Sequence, residues 1–270
     1  AREISPIARA EDGLWTTFAG NAQRSKVVPR AVEIGSVQWT APLTFLSPPR
    51  LSMGGRPMQT ASEEPLSYHP LVLRDWVLVC GREEVRAYEL HASPKKGDEP
   101  QPVWSFKLRD LMGQATPAVF RSAGGAPHYT MTADRSRLYV RLGAPETTLP
   151  FRRGGQPDSY LVCLDLTAEA KEVWRIQPEP NEPDLAFEGS PIVTDGNVYI
   201  GVTRGGAMTH SFVACYDAAT GAKKWRQLVC EASSATSFYQ PGSITHNLPT
   251  LGAGMVFYNS NLGAIAALDQ

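Results

Sequence analysis

Short stretches of alternating apolar and polar residues, separated by turn residues, recur along most of this chain. The clearest set runs from Ser190 to Gly201 and continues from Cys215 to Trp225, with Asp-Gly and Thr-Gly pairs between the stretches. Alternation over a few residues indicates half-buried β-strands, and Asp-Gly indicates a tight hairpin turn. The pattern therefore predicts one antiparallel meander of short strands.

The same order of residue types returns elsewhere in the chain. Each copy has a small residue, an acid two positions later and, in three copies, a tryptophan that closes the set. The members are Ala87, Glu89 and Trp104; Cys163, Asp165 and Trp174; Cys215, Asp217, Gly221 and Trp225; and Ala267 and Asp269. Self-similarity of this kind predicts repeated supersecondary units that share one core.

This order resembles the tryptophan-docking motif A-x-D-x-x-x-G-x-x-x-W of the quinoprotein-like β-propellers, whose units are also called pyrroloquinoline-quinone (PQQ) repeats. Residues 215–225 match it position by position, except that Cys215 stands for the alanine. Trp174 comes one residue late, and Trp104 follows a polar insertion. The resemblance implies an all-β fold of four-stranded antiparallel blades, forming a partial ring of about four to five blades.

The resemblance also divides the chain. Residues 1–14 carry no strand pattern and are expected to be a tail or the remnant of a secretory signal, because Ala8-Arg9-Ala10 is similar to a small-residue cleavage site. Residues 15–270 are expected to form the propeller domain, with blades starting near residues 70, 117, 191 and 249. Because a half ring exposes sheet flanks, we expect further blades to come from a longer chain or a second copy.

Two segments before the first blade have expected structural roles. The segment from Trp15 to Arg24 is similar to one that commonly opens such propellers, and Arg24 is expected to bond neighbouring carbonyl groups. The tripeptide from Val37 to Trp39 is expected to supply the closing strand of the last blade, with Trp39 as its docking tryptophan.

Composition narrows the classes of partner. The chain has 26 Lys and Arg against 27 Asp and Glu, and no basic run is longer than a pair. We therefore expect no nucleic-acid partner. No apolar stretch approaches the roughly 20 residues of a membrane helix, so no membrane span is expected.

The four cysteines lack C-x-x-C spacing. Cys163 and Cys215 are expected to pack beneath tryptophans, with disulfide or metal roles as alternatives.

A candidate binding face follows from the predicted long links, most of which leave the same side of the blades. It carries Arg152, Arg153, Arg204, His210, Tyr239 and His246. Arginine forks match carboxylates, and the aromatic side chains are suited to stack on a sugar or a peptide aromatic. Solvated loop charge and burial against the blades are the alternative interpretations.

The repeats contain residue types that enzymes also use. The acids Asp165, Asp217 and Asp269 each lie beside a turn, which favours bonds to the turn backbone over acid and base catalysis. The tryptophans are expected to close blades. No G-x-S-x-G, H-E-x-x-H or phosphate-binding glycine loop is present.

These features predict a non-catalytic scaffold that binds or assembles a protein or carbohydrate partner outside the cytoplasm, in the periplasm or after secretion, without a cofactor. The alternative is a PQQ-dependent dehydrogenase of alcohols or sugars, in which Ca²⁺ polarises the quinone. The resemblance implies both, because relatives include enzymes and binding propellers. Relatives acting on alcohols often carry two adjacent cysteines, and this chain has no such pair.

Overall fold

The computed structural model of this chain describes only part of the 270 residues. The described residues are 15–26, 35–41, 67–81, 84–94, 98–108, 128–129, 131–143, 159–179, 181–182, 185–204, 208–233, 248–260 and 262–270.

Within these ranges the regular secondary structure is almost entirely β-strand. In chain order the strands are β1 (Ser67–Tyr68), β2 (Leu71–Leu73), β3 (Trp76–Cys80), β4 (Glu84–Glu89), β5 (Trp104–Lys107), β6 (His128–Tyr129), β7 (Met131–Asp134), β8 (Arg137–Gly143), β9 (Ser159–Asp165), β10 (Lys171–Ile176), β11 (Leu185–Thr194), β12 (Asn197–Arg204), β13 (Met208–Asp217), β14 (Lys223–Ser233), β15 (Thr250–Gly252), β16 (Met255–Asn259) and β17 (Ile265–Asp269). A 3₁₀ turn covers Leu166–Ala168.

The strands form successive antiparallel meanders, which we call blades one to four. Blade one is β2 to β5, blade two is β7 to β10 and blade three is β11 to β14, each a four-stranded sheet. Blade four is β15 to β17, three strands within the described residues, and β1 pairs with β6 in parallel. The prediction of an all-β, partial propeller built from antiparallel blades is confirmed.

A two-residue turn joins the first and second strands of every blade. Its first residue has a positive φ in each case: Arg74 (55°), Arg135 (55°), Asp195 (47°) and Ala253 (49°). Such turns match the right-handed twist of the strands that they connect. The local geometry of the hairpin is therefore repeated even where the residue type is not.

The structure starts blade three before its predicted position and does not describe the predicted start of blade two. The first strand described in blade two begins at Met131, whereas Pro117 lies outside the described residues. The first strand of blade three begins at Leu185, before the predicted start near Pro191, because its register shifts between Glu188 and Ile192 and the pairing then resumes. An irregular pairing breaks the alternation on which the sequence prediction depends.

The blades pack face to face through three layers of apolar side chains. The first layer joins blades one and two and includes Leu78 and Leu164; the second joins blades two and three and includes Leu161 and Ile200. The third joins blades three and four and includes Val213. Blades two and three are therefore covered on both faces, as expected for blades stacked around an axis.

The three docking tryptophans of the blades each lie opposite the small residue of their own repeat. Ala87 pairs with Trp104, Cys163 with Trp174 and Cys215 with Trp225 in the strand register. The environments are also alike: the Tyr139 and Trp174 ring centroids are 5.9 Å apart at 52°, and those of Tyr199 and Trp225 are 6.0 Å apart at 50°. A small residue is needed beneath each indole because the two side chains share one face of neighbouring strands.

Two indoles, those of Trp174 and Trp39, bond to the turn of a blade. Trp174 Nε1 donates to the carbonyl of Ala218 in blade three at 3.1 Å, and Trp39 Nε1 donates to the carbonyl of Leu90 in blade one at 3.0 Å. Ala218 follows Asp217 as Leu90 follows Glu89, so the two contacts are equivalent. Trp39 thus docks on blade one as Trp174 docks on blade three. The structure assigns no strand to residues 35–41, because no described strand pairs with them.

The segment from Trp15 to Arg24 crosses the first strands of the blades. Trp15 forms a β-bridge with Val72 of blade one, and Thr17 forms one with Thr132 of blade two. The Thr132 hydroxyl donates to the carbonyl of Pro191 in blade three at 2.5 Å. This segment therefore ties together the inner strands of three successive blades.

Arg24 extends the same connection to blade four. Its Nε donates to the carbonyl of Pro249 at 2.8 Å, and its Nη1 donates to the carbonyl of Phe18 at 3.0 Å. Burial lowers the pKa of Arg24 to about 10, because removing water disfavours the charged guanidinium. Arg24 bonds neighbouring carbonyls, the role that the sequence suggests for it.

In the part of the chain that the structure describes, no helix has the length and apolar character needed to cross a bilayer.

Candidate functional site

Blade three is extended at the end that carries Arg204 and His210. The sequence predicts a long link over residues 204–211, but β12 continues to Arg204, β13 resumes at Met208, and Arg204 pairs with His210 across the hairpin. The prediction of a link is wrong here because β14 pairs with the same end of β13 and satisfies its backbone groups. Both side chains project from paired strands.

The side chains of Arg204 and His210 each face an acid. Arg204 forms an ion pair with Glu182, and His210 Nε2 lies 3.1 Å from Glu231 Oε2. The His210 ring stacks on Phe212, with centroids 6.3 Å apart and planes at 15°. His210 Nδ1 is buried without a hydrogen-bond partner among the described residues. The structure therefore brings Arg204 and His210 together, but each already contacts an acid of this chain.

The remaining residues of the predicted binding face are Arg152, Arg153, Tyr239 and His246. All four lie outside the described residues. That they join Arg204 and His210 on one surface stays a prediction.

A chain of ion pairs continues from Glu182 along the boundary between blades two and three. Arg226 Nη2 donates to Glu182 Oε1 at 2.7 Å, and its Nη1 lies 3.9 Å from Glu179 Oε2. Glu179 also pairs with Lys223, and the Arg226 guanidinium lies 5.0 Å above the Phe212 ring centroid. These contacts hold charged side chains in fixed positions on an otherwise solvated surface.

A cleft of about 510 Å³ opens beside this chain of ion pairs, between blades two and three. Its volume lies within the range of about 300–1,000 Å³ that is common for ligand sites. Its walls include Tyr160, Arg175, Ile176, Glu179, Tyr216 and Lys223. We call it the β10 cleft, since β10 supplies one wall.

Sequence reasoning did not find the β10 cleft. Arg175 follows the docking Trp174, and strand alternation places these neighbours on opposite faces of β10. This alternation predicts that the Arg175 side chain lies on the face of β10 opposite to Trp174. It does not reveal the cleft, because Tyr216 and Lys223 come from the next blade.

A second polar group missed by the sequence analysis lies between blades three and four. The Thr203 hydroxyl donates to the Glu188 carboxylate, and the Tyr258 hydroxyl lies 3.5 Å from that carboxylate and 3.2 Å from Ser211 Oγ. Tyr258 is fully buried, so its hydroxyl needs these partners. The arrangement satisfies buried polar atoms at a blade boundary.

The cysteines of the repeats are buried thiols. Cys163 and Cys215 are at most 1% exposed, and the structure contains them as free cysteines. Burial raises the pKa of Cys163 to about 11 and also raises the pKa of Cys215. A thiol with a raised pKa is a poor nucleophile and metal ligand at neutral pH.

The acids of the repeats bind their own turns. Asp165 Oδ1 accepts from the hydroxyl and the backbone N–H of Thr167 at 2.6 and 2.8 Å. Asp217 Oδ1 accepts from the hydroxyl and N–H of Thr220 at 2.9 and 3.0 Å, and from Ala219 N at 3.0 Å. The threonine hydroxyl bonds come first among the causes that lower the pKa of each acid, because they stabilise the charged form.

These bonds predict a specific dependence of stability on pH. Since the folded-state pKa of each acid lies below the unfolded value of about 3.9, the stabilisation is present above pH 4 and is lost as the pH falls through the folded-state value. We expect the free energy of unfolding of the D165N/D217N variant to decline less between pH 5 and pH 2 than that of the wild type. Urea titrations at each pH measure this.

The charge-matched control is D98N/E99Q, at two exposed positions. Its acid dependence should follow that of the wild type. An equal decline in all three proteins would show that the turn bonds do not contribute to the acid dependence.

Among the described residues, no group of three or more His, Cys, Asp or Glu side chains is arranged to hold a metal ion. The described part of the chain therefore offers no donor set to which calcium can be assigned.

Comparison with known proteins shows a likeness to solved structures. No protein-family model matches the chain, and no curated protein matches it. A solved structure described as a quinohemoprotein alcohol dehydrogenase from Pseudomonas putida HK5 is similar with a TM-score of 0.47 and 13% identity. The match covers 83% of this chain and 28% of that one, so this chain spans less than a third of that structure. The strand order and the repeated tryptophan contacts establish the partial propeller independently of this likeness.

Proposed function

We propose that this chain is a non-catalytic, PQQ-like repeat propeller that acts as a binding or assembly scaffold for a protein or carbohydrate partner outside the cytoplasm. The observation that carries the proposal is that the cysteine and aspartate side chains of the repeats are buried or bound to turns. The Cys163 and Cys215 thiols are buried with raised pKa values, and the Asp165 and Asp217 carboxylates are bound to turns. Nucleophilic and acid–base catalysis need such groups to be accessible and tuned near neutral pH.

The surface between blades two and three supports a binding role. Ion pairs among Glu179, Glu182 and Arg226 fix the shape of this surface before any partner arrives. Tyrosine and arginine, which line the β10 cleft, are also the residue types that dominate protein interfaces. A preformed surface lowers the entropic cost of association.

The alternative is a PQQ-dependent dehydrogenase of alcohols or sugars. The described residues offer no calcium donor set, so we assign no residue to the quinone or to Ca²⁺ and derive no step through them. The extracytoplasmic location is supported by the resemblance of the repeats to quinoprotein-like propellers.

An assay of dye reduction separates the two functions. The full chain is incubated with PQQ and Ca²⁺ and then with a panel of primary alcohols and aldoses, with a known PQQ dehydrogenase as positive control. We expect no dye reduction above that of PQQ and Ca²⁺ alone. A rate that rises in proportion to the protein concentration and saturates with one substrate would overturn the scaffold proposal.

A further inference from the structure

Blade four has a docking position that no described tryptophan covers. Its outermost strand, β17, pairs with β16 on one side, and no described strand pairs with its other side. In blades one to three, the strand at that position carries the docking tryptophan opposite the small residue of the repeat. Ala267 is the small residue of blade four and is exposed, whereas its equivalents in the other blades are at most 1% exposed.

The face of blade four around Ala267 is apolar and open. Leu268 packs in the layer between blades three and four, so strand alternation places its neighbour Ala267 on the opposite face. Phe257 lies opposite Ala267 in the strand register and is 40% exposed, and Ile265 on the same face is 79% exposed. The tyrosines at the position of Phe257 in blades two and three are buried, because the next blade covers them. An exposed apolar face of this kind marks a surface that another protein element covers.

The edge of β17 also lacks the cations that the other outer strands carry. β5, β10 and β14 each contain Lys or Arg, whereas β17 has neither, and Asp269 is its only charged residue. Lysine on an exposed edge strand prevents pairing with another chain. The edge of β17 is therefore open to pairing with a further strand.

The segment around Trp39 has a docking tryptophan but no described blade. The Trp39 indole bonds to the carbonyl of Leu90, and its ring centroid lies 5.9 Å from that of Tyr88. Because Trp174 of blade two docks on blade three through the same bond, Trp39 belongs to a blade that precedes blade one. No described strand pairs with residues 35–41. The segment can therefore complete a blade that has the position of blade four.

These two features lie at opposite ends of the stack of blades. Ala87 packs towards blade two, so its neighbour Tyr88 and the docked Trp39 lie on the other face of blade one. Ala267 lies on the face of blade four that points away from blade three. The described apolar layers join the blades in order from one to four, and none of them joins blade four to blade one. One copy therefore does not bring its own Trp39 to its own Ala267.

We propose that a second copy of this chain completes blade four. Residues 37–39 of each copy pair with the edge of β17 in the other copy, and Trp39 docks over Ala267. The contact also covers Val37 and Ile265, which at 80% and 79% are the most exposed large apolar side chains among the described residues. A second copy is favoured over another protein because this chain carries both halves of the contact.

The proposed dimer is a closed ring. Two copies with four blades each make eight blades, within the usual range of about four to eight. A two-fold axis repeats the same contact at both junctions, so both open ends are covered and assembly stops at two copies. This inference goes beyond the proposed scaffold function and does not rest on it.

Sedimentation equilibrium of the full chain measures the association. We expect a species of twice the chain mass of 29.4 kDa at micromolar concentration. The A267R variant places a long charged side chain where the indole docks, and W39A removes the indole. Each should weaken the dimer roughly tenfold or more, because buried tryptophans dominate the affinity of protein interfaces.

The charge-matched control is A253R. Ala253 is exposed in the first turn of blade four, and arginine occupies the same turn position in blades one and two, with a similar φ. The control therefore adds the same charge to the same blade without strain and away from the docking position. It should dimerise like the wild type.

Mixing the two variants tests which surfaces meet. In a mixed dimer, one junction combines the unchanged Trp39 of the A267R copy with the unchanged Ala267 of the W39A copy. A dimer of either variant alone has a substitution at both junctions. We therefore expect the mixture to contain more dimer than either variant at the same total concentration.

Several results would overturn the inference. They are a monomeric wild type, equal dimerisation of A267R and A253R, or no gain of dimer on mixing. Species larger than a dimer that grow with concentration would show an open array and would also overturn it. If W39A does not fold by circular dichroism, the comparison of A267R with A253R decides alone. None of these outcomes bears on the dye-reduction assay, so failure of the dimer and failure of the proposed function are distinguishable.

Discussion

Replacing Trp174 by alanine is expected to lower the free energy of unfolding by about 3–5 kcal/mol, the usual range for removing a buried large aromatic side chain. Trp174 is 9% exposed and packs against Tyr139. Its Nε1 also donates the hydrogen bond to Ala218 that joins blade two to blade three. The variant therefore loses packing within its own blade and a bond to the next one.

Equilibrium urea unfolding, followed by circular dichroism, measures this effect. The control is V173A on the same strand, where the side chain is 40% exposed and a change below about 1 kcal/mol is expected. If W174A and V173A were equally stable, Trp174 would not be the link between the blades that the structure indicates.

Replacing Gly221 by alanine is expected to cost about 2–5 kcal/mol, for two separable reasons. Gly221 has a φ of +74°, and a side chain in this left-handed region costs about 1–2 kcal/mol. A Cβ at this position would also lie 2.9 Å from Trp174 Cδ2 and 3.2 Å from Ile176 Cγ2. Overpacking of that kind typically costs a further 1–3 kcal/mol.

Gly254 provides a matched control for the G221A prediction. It also has a φ of +74°, but nothing lies within 4 Å of the position that a Cβ would occupy. G254A should therefore show the backbone cost alone, and the difference between the two variants in urea unfolding measures the contact with Trp174. In the W174A background, the extra cost of G221A over G254A should shrink, because the ring is gone and only the Ile176 contact remains. Equal costs in the wild-type background would contradict the docking of Trp174 on Gly221.

Local sequence patterns predicted most of the fold. The alternation in residues 190–201 and the repeated order of small residue, acid and tryptophan predicted antiparallel meanders, and the structure has them. The pattern was less successful where pairing is irregular. It did not include Leu185 in the first strand of blade three, because the register shift after Glu188 interrupts the alternation.

The sequence predicted less of the candidate site than of the fold. The sequence identified Arg204 and His210 by residue type, but their contacts with Glu182 and Glu231 depend on strands that run past the predicted ends. The β10 cleft was missed because its walls come from two blades. Arg175 by itself has no feature in the sequence that separates it from an ordinary surface arginine.

By itself, the sequence determined the strands, the turns and the position of each docking tryptophan, because alternation, turn chemistry and the motif act over a few neighbouring residues. Only the tertiary structure decided that the Trp174 indole bonds to Ala218, that the segment from Trp15 to Arg24 crosses the inner strands, and that Arg175 borders a cleft with Lys223. The physical reason is that these contacts depend on the angle and separation at which one blade packs on the next. Many buried side chains set that geometry together, and no short stretch of residues encodes it.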